Sequence, residues 1–131
     1  MSNTDLQYGL DLENLLHEKV KECFGNDIVQ TSGCHPYDYY NHDTFIELKS
    51  RRCKHDTYPT TMIGLNKINF ARDLPDKSFV FIFRFTDGLY QHIFDPKKNY
   101  EVKMGGRQDR GRAEYKQYVY IPIKDLKSLS S

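Results

Sequence analysis

The run SFVFIFRF, Ser78 to Phe85, places six apolar residues in eight, with a single charge at Arg84. A strand with one wet face alternates apolar and polar side chains, but this run is apolar on both sides and needs cover on both. It is predicted as a central strand, and the rest of the chain has to supply a layer above it and a layer below.

Other segments can supply those layers. Leu6, Leu10, Leu15, Leu16, Val20 and Phe24 recur at near-helical spacing, which predicts a helix from Thr4 to Phe24, capped by Asn3 or Thr4 and ended by Gly25. Ile28 to Thr31 reads as a short strand, and Gly33 and Pro36 punctuate the turn after it. Tyr37–Tyr40 and Thr44–Ser50 read as two arms of a hairpin around Asn41, His42 and Asp43. Met62, Ile63, Ile68, Phe70 and Ala71 predict a second helix over Thr60–Arg72 after Pro59, although Gly64 and the β-branched residues run against it. Thr86–Gly88 is a turn into a strand at Leu89–Asp95, and Tyr115–Ile123 is a further strand. The glycines of MGGRQDRGR, Met104 to Arg112, predict a flexible loop. The fold class expected from this order is α/β, a central mixed β-sheet flanked by helices.

With 131 residues the chain suits one domain, residues 1–131, and 14% aromatic with 38% hydrophobic residues is enough material for a core. No apolar run reaches the length of a membrane span and the start has no signal-peptide pattern, so an intracellular location without membrane contact is expected. Cys23, Cys34 and Cys53 show no CxxC spacing and are expected to be reduced thiols. The net charge of +1 is not that of a strongly basic nucleic-acid binder. Its distribution says more: acids are frequent before Glu47, while KSRRCK (Lys49–Lys54) and KMGGRQDRGR (Lys103–Arg112) concentrate cations. A balanced total of this kind suits a basic rim around an acidic centre.

Within the second hairpin arm Phe45, Glu47 and Lys49 share one side and Ile46 and Leu48 the other. An acid and an amine therefore point the same way, with Asp38 just upstream. A solvent-facing charge pattern and a metal site with a lysine beside it both fit this spacing.

Asp38 followed by Glu47-Leu48-Lys49 resembles the active-site signature of the PD-(D/E)XK nuclease superfamily, with the proline at position 36, two places before the aspartate. The order of elements over residues 5–95 is similar too: a helix bearing Glu18, two motif strands, a helix containing Lys67, then more strands. The resemblance implies a restriction-endonuclease-like fold and a metal-dependent endonuclease that hydrolyses DNA phosphodiester bonds. It implies Asp38, Glu47, Glu18 and the Leu48 carbonyl as ligands of Mg²⁺ or Mn²⁺, which favour oxygen donors, with Lys49 as the catalytic cation or base. Arg51, Arg52, Lys54, Lys67, Arg107, Arg110 and Arg112 are the expected nucleic-acid contacts, with Lys67 at a helix surface.

The expected partner is DNA, cut at nicks, branches or ends, or by a homodimer with two active sites. Two alternatives stay open. The order His17, Asp38, Glu47, Lys49 also resembles the viral cap-snatching endonucleases, which cut RNA and use a helix histidine. A noncatalytic nucleic-acid-binding module could keep the same fold. A minimal nuclease fits a phage, a virus or a mobile element.

Overall fold

The computed structural model describes residues 17–31, 35, 37–107 and 114–129. In chain order these form α1 (described over 17–24), β1 (Val29–Gln30), β2 (Tyr39–Tyr40), β3 (Thr44–Ser50), β4 (Thr60–Gly64) and α2 (Leu65–Arg72). They continue with β5 (Ser78–Phe85), β6 (Gly88–Ile93), β7 (Glu101–Arg107), β8 (Glu114–Pro122), a 3₁₀ turn (Ile123–Asp125) and β9 (Lys127–Ser128). Residues 4–16 of the predicted first helix lie outside the described residues.

Strand β5 is central, as its apolar run requires. The larger sheet has the order β1-β2-β3-β5-β6-β9, and β5 pairs parallel with β3 and antiparallel with β6. A parallel pair cannot be closed by a tight turn, and here β4 and α2 make the crossover. Alternate residues of β5 feed two cores. Phe79, Phe81, Phe83 and Phe85 pack with Tyr37, Ile63, Ile68, Ala71, Val119 and Ile121, against α2 and the smaller sheet β4-β8-β7. Val80 and Ile82 pack on the other face with Ile46, Tyr39, Ile28 and Val20 of α1. The result is the expected α/β fold, a mixed sheet with a helix on each face, consistent with a restriction-endonuclease-like architecture.

Two expectations are corrected. Thr60–Gly64 is a strand instead of the first turn of a helix, because Thr61 and Ile63 are buried while Thr60, Met62 and Gly64 are half-buried, a period of two. It pairs residue for residue with β8, from Thr60 opposite Pro122 to Gly64 opposite Tyr118. Only Leu65–Arg72 is helical. Met104 to Arg107, predicted as part of a flexible loop, is ladder, with Gly105 opposite Lys116. A Cβ at Gly105 would come within 3.0 Å of Tyr118 Cδ2 and 3.1 Å of the Tyr120 hydroxyl, so the glycine lets these rings lie close against β7. The rest of that predicted loop, residues 108–113, is outside the described residues. Among the described residues no helix is long and apolar enough to cross a membrane.

Candidate active site

The site begins with backbone pairing that fixes Asp38 against β3. Asp38 N–H donates to the Ile46 carbonyl (3.0 Å), and the Asp38 carbonyl accepts from Thr31 N–H (2.9 Å). One carboxylate oxygen, Oδ2, then accepts from Leu48 N–H at 2.8 Å. The aspartate is held at both main-chain groups and at its side chain, so its position follows from the β2–β3 pairing.

Glu47 opens on the Phe81 side of β3, directly across from Phe81 in the parallel ladder. It is 3% exposed, which excludes the solvent-facing reading of the strand's charges. Burial first, then a hydrogen bond and the charge of Asp38, push its carboxyl up to about 7, against the opposing pull of Lys67 and Lys49. The Lys67 ammonium lies 2.8 Å from Glu47 Oε2. The pair is shielded from solvent on both sides, the Glu47 side chain being almost fully buried and the Lys67 side chain mostly so. Two adjoining carboxyls, one of them buried, form the kind of oxygen donor set a hard divalent cation prefers. The oxygen donors of Asp38 and Glu47 therefore fit a hard divalent cation.

Lys67 was expected at a helix surface and is instead turned inward, which is a correction with a clear cause. Tyr37, buried in the aromatic core, donates its hydroxyl to the Lys67 carbonyl at 2.7 Å and places its ring 5.8 Å from the Lys67 ammonium. Burial and the Glu47 charge raise the Tyr37 hydroxyl far above its ordinary value, so it stays a neutral donor. Tyr37 thus docks α2 at the position that delivers Lys67 to Glu47. Tyr37→Phe is expected to cost about 1 kcal/mol, the usual net worth of one such bond, read as a lowered urea midpoint with an unchanged slope.

Lys49 and Lys67 line a cleft of about 660 Å³ together with Lys116 and Tyr118 of β8 and Asn66 and Asn69 of α2. No acidic side chain lines it among the described residues. The basic rim expected from Lys49–Lys54 and Lys103–Arg112 contributes only Lys49 to this cleft among the described residues, and the other cations lining it are Lys67, expected as a nucleic-acid contact, and Lys116. Asn66 and Asn69, three apart, share a helix face. That signal was hidden while the helix was expected to begin at Thr60. Lys116 and Tyr118 alternate on one face of a strand, but only the pairing of β8 with β4 brings that face to the cleft.

The remaining expected residues lie elsewhere. Glu18 is exposed on α1, which packs through Val20 on the opposite face of the sheet, and it is not among the groups acting on Glu47. His17 faces Tyr39 on that same side, ring centroids 5.2 Å apart. Arg51 donates from Nη2 to the Met62 carbonyl (2.7 Å) and lies 5.9 Å from the Phe83 ring, a tie between β3 and β4. Arg52 and Lys54 are exposed in the segment after β3. Arg107 ends β7, and Arg110 and Arg112 fall outside the described residues.

A second acidic group is present. His55, Asp56 and Asp87 bring possible ligand atoms within 4.8 Å of one another. His55 already engages Asp87 through its ring (2.6 Å) and its N–H (3.0 Å), and its ring stacks on Tyr90. This group fastens the segment after β3 to the β5–β6 turn.

No curated protein and no solved structure gives a significant match. A family model described as "Phage putative PDDEXK endonuclease" matches residues 4–129, nearly the whole chain. With Asp38 and Glu47 brought together at a lysine-lined cleft, and with this match across both sheets, the chain belongs to the phage PDDEXK endonuclease family.

Proposed function

We propose that the protein is an endonuclease that hydrolyses DNA phosphodiester bonds with Mg²⁺ or Mn²⁺. The observation that carries this reading is the buried Glu47 carboxyl beside Asp38, next to a cleft lined by Lys49, Lys67 and Lys116 and, among the described residues, by no acid. Asp38, Glu47 and the Leu48 carbonyl are the proposed ligands. Glu18, exposed on the opposite face, is left out of the set. A divalent cation bound there supplies Lewis acidity toward a phosphoryl oxygen and toward water.

The chain's own groups do the rest. Lys49 presents its ammonium in the cleft, where it donates hydrogen bonds to phosphoryl oxygens as negative charge builds on them. Lys67 offsets the Glu47 charge and so keeps two adjoining carboxylates tolerable in a buried place. Lys116, Asn66 and Asn69 hold the flanking sugar-phosphate chain without reading bases. Leu48 N–H fixes the Asp38 rotamer, so the acidic pair is preorganised before substrate arrives.

The test is incubation of supercoiled plasmid, linear duplex, single-stranded DNA and RNA with Mg²⁺, Mn²⁺ or EDTA. Cutting of DNA with either metal and none in EDTA is the expected result. Cutting of RNA alone would reassign the substrate, and undiminished cutting in EDTA would remove the metal from the proposal.

A further inference from the structure

A hollow of about 450 Å³ lies beside the cleft, and β4 and β8 line both. Lys49 of β3 lines the cleft, and Arg51, just past the end of that strand, lines the hollow. On β4, Gly64 lines the cleft and Met62 and Thr60 line the hollow. On β8, Tyr118 lines the cleft and Tyr120 the hollow. Strand residues two apart share a face and stand roughly 6.6 Å apart. The ladder agrees, pairing Met62 with Tyr120 and Gly64 with Tyr118. Cleft and hollow are thus neighbours along one face of the β4–β8 pair, with the end of β3 beside both, at a separation on the order of two 3.4 Å base steps.

The lining changes character between the two. The cleft offers ammonium and amide groups, whereas the hollow is walled by Met62, Phe85, Tyr120 and Ile123, with Tyr58 at 64% exposure. No acidic residue lines the hollow among the described residues, and Arg51 and Lys54 are part of its wall. A flat apolar body joined to a phosphate meets both conditions. Its volume lies in the range of small-molecule sites, roughly 300–1,000 Å³, with room for a base and its sugar.

The walls are also held in place. Ile123 N–H donates to the Pro59 carbonyl (3.0 Å), Thr86 N–H to the Cys53 carbonyl (3.0 Å), and His55 is clasped to Asp87. The segment carrying Tyr58 is therefore anchored on both sides, and the hollow exists before any ligand enters.

We infer that this hollow is a subsite for an unpaired nucleobase, one or two nucleotides from the phosphate held at Lys49. The inference rests on the nuclease reading of the cleft and narrows its substrate to nucleic acid with an unstacked base near the cut. Tyr58 offers a ring face for stacking, which every base accepts, and Thr60 offers a hydroxyl to the base edge. Within a fully paired duplex the base would have to leave its stack first, so an already unpaired base is preferred.

The experiment uses two duplex probes that differ only in whether one 2-aminopurine is bulged or paired. Both are measured with wild-type protein in EDTA, where no cutting is expected, so that they stay intact. The bulged probe is expected to bind about tenfold more tightly and to lose its fluorescence on stacking. Tyr58→Ala, at an exposed position, should bring its affinity down to that of the paired probe. Cys53 lines the hollow, so the bulged probe should also slow its alkylation by iodoacetamide, with the exposed Cys23 as reference. Equal binding of both probes, with no effect of Tyr58→Ala and no shielding of Cys53, would overturn the base subsite and leave the cleft reading intact. Shielding of Cys53 by an apolar tripeptide and not by the bulged probe would overturn it in favour of a protein ligand. Binding of neither probe would bring down the nucleic-acid reading of the cleft and the subsite with it.

Discussion

Lys49→Ala is expected to slow Mg²⁺-dependent cleavage of DNA by about 10²–10⁴-fold under single-turnover conditions, the range for losing one positioned catalytic group. The size follows from position. Lys49 shares the Glu47 face of β3, acts electrostatically on that carboxyl, and opens into the cleft. Its amine is thus the cation that the strand itself presents beside the acidic pair. Folding should hardly notice the change, because a half-exposed lysine lining a wet cleft leaves no cavity when truncated, and the expected stability difference is within about 0.5 kcal/mol. Lys49→Arg keeps the charge but replaces a compact ammonium with a planar fork, so it should recover only part of the rate. A Lys49→Ala enzyme within threefold of wild type would show that Lys67 or Lys116 serves the reacting phosphate instead.

Without metal, the protein is expected to lose stability as pH rises from about 5 to about 7, through Glu47. Its carboxyl ionises at about 7 in the folded protein and near its ordinary 4.5 in the unfolded chain. Between those values the native state keeps a proton that the unfolded chain has released, so raising pH favours unfolding. The contribution is on the order of 2–3 kcal/mol, or about 10 °C in melting temperature for a chain of this size. His92 works in the opposite direction, since burial depresses its pKa and its share of stability falls away toward low pH. The comparison that isolates the carboxyl is therefore wild type against Glu47→Gln in EDTA. The variant should lack the Glu47 slope and melt higher at pH 8. Saturating Mg²⁺ should raise the wild-type melting temperature at pH 8 and leave Glu47→Gln little changed, because a ligand stabilises only the state that binds it. Parallel pH curves for the two proteins would mean that Glu47 titrates as an ordinary exposed acid.

Much of this was legible in the sequence because it depended on local pattern. SFVFIFRF announces a strand covered on both faces, since no other element tolerates continuous apolar residues with so many β-formers in so short a run. Asp38 and Glu47-Leu48-Lys49 were legible as a motif, and strand alternation alone puts Glu47 and Lys49 on one side. Thr60–Arg72 was misleading because Met62, Ile63, Ile68 and Phe70 fall at helical spacing while the strand beneath them buries only Thr61 and Ile63. Two buried positions are too few to announce a period of two. The inward turn of Lys67 was hidden because it depends on a hydrogen bond from a tyrosine thirty residues away. Arg51 read as a phosphate contact because its charge is visible in sequence and its partner, a main-chain carbonyl on another strand, is not. The hollow depends on the end of β3 lying beside β4 and β8, which is a property of the assembled fold.

The division of β5 between two cores bears on how the molecule comes apart. Phe79, Phe81, Phe83 and Phe85 belong to one core and Val80 and Ile82 to the other, so neither layer can open without stripping cover from the strand that holds the second. Partial unfolding that spares one face is thereby disfavoured, and the amides of β5 and its parallel neighbour β3 are expected to be the last to exchange with solvent. The motif strand sits inside that unit, so Glu47 and Lys49 are carried by the part of the molecule expected to open most slowly, and the acidic pair keeps its geometry through the local fluctuations of the segments around it.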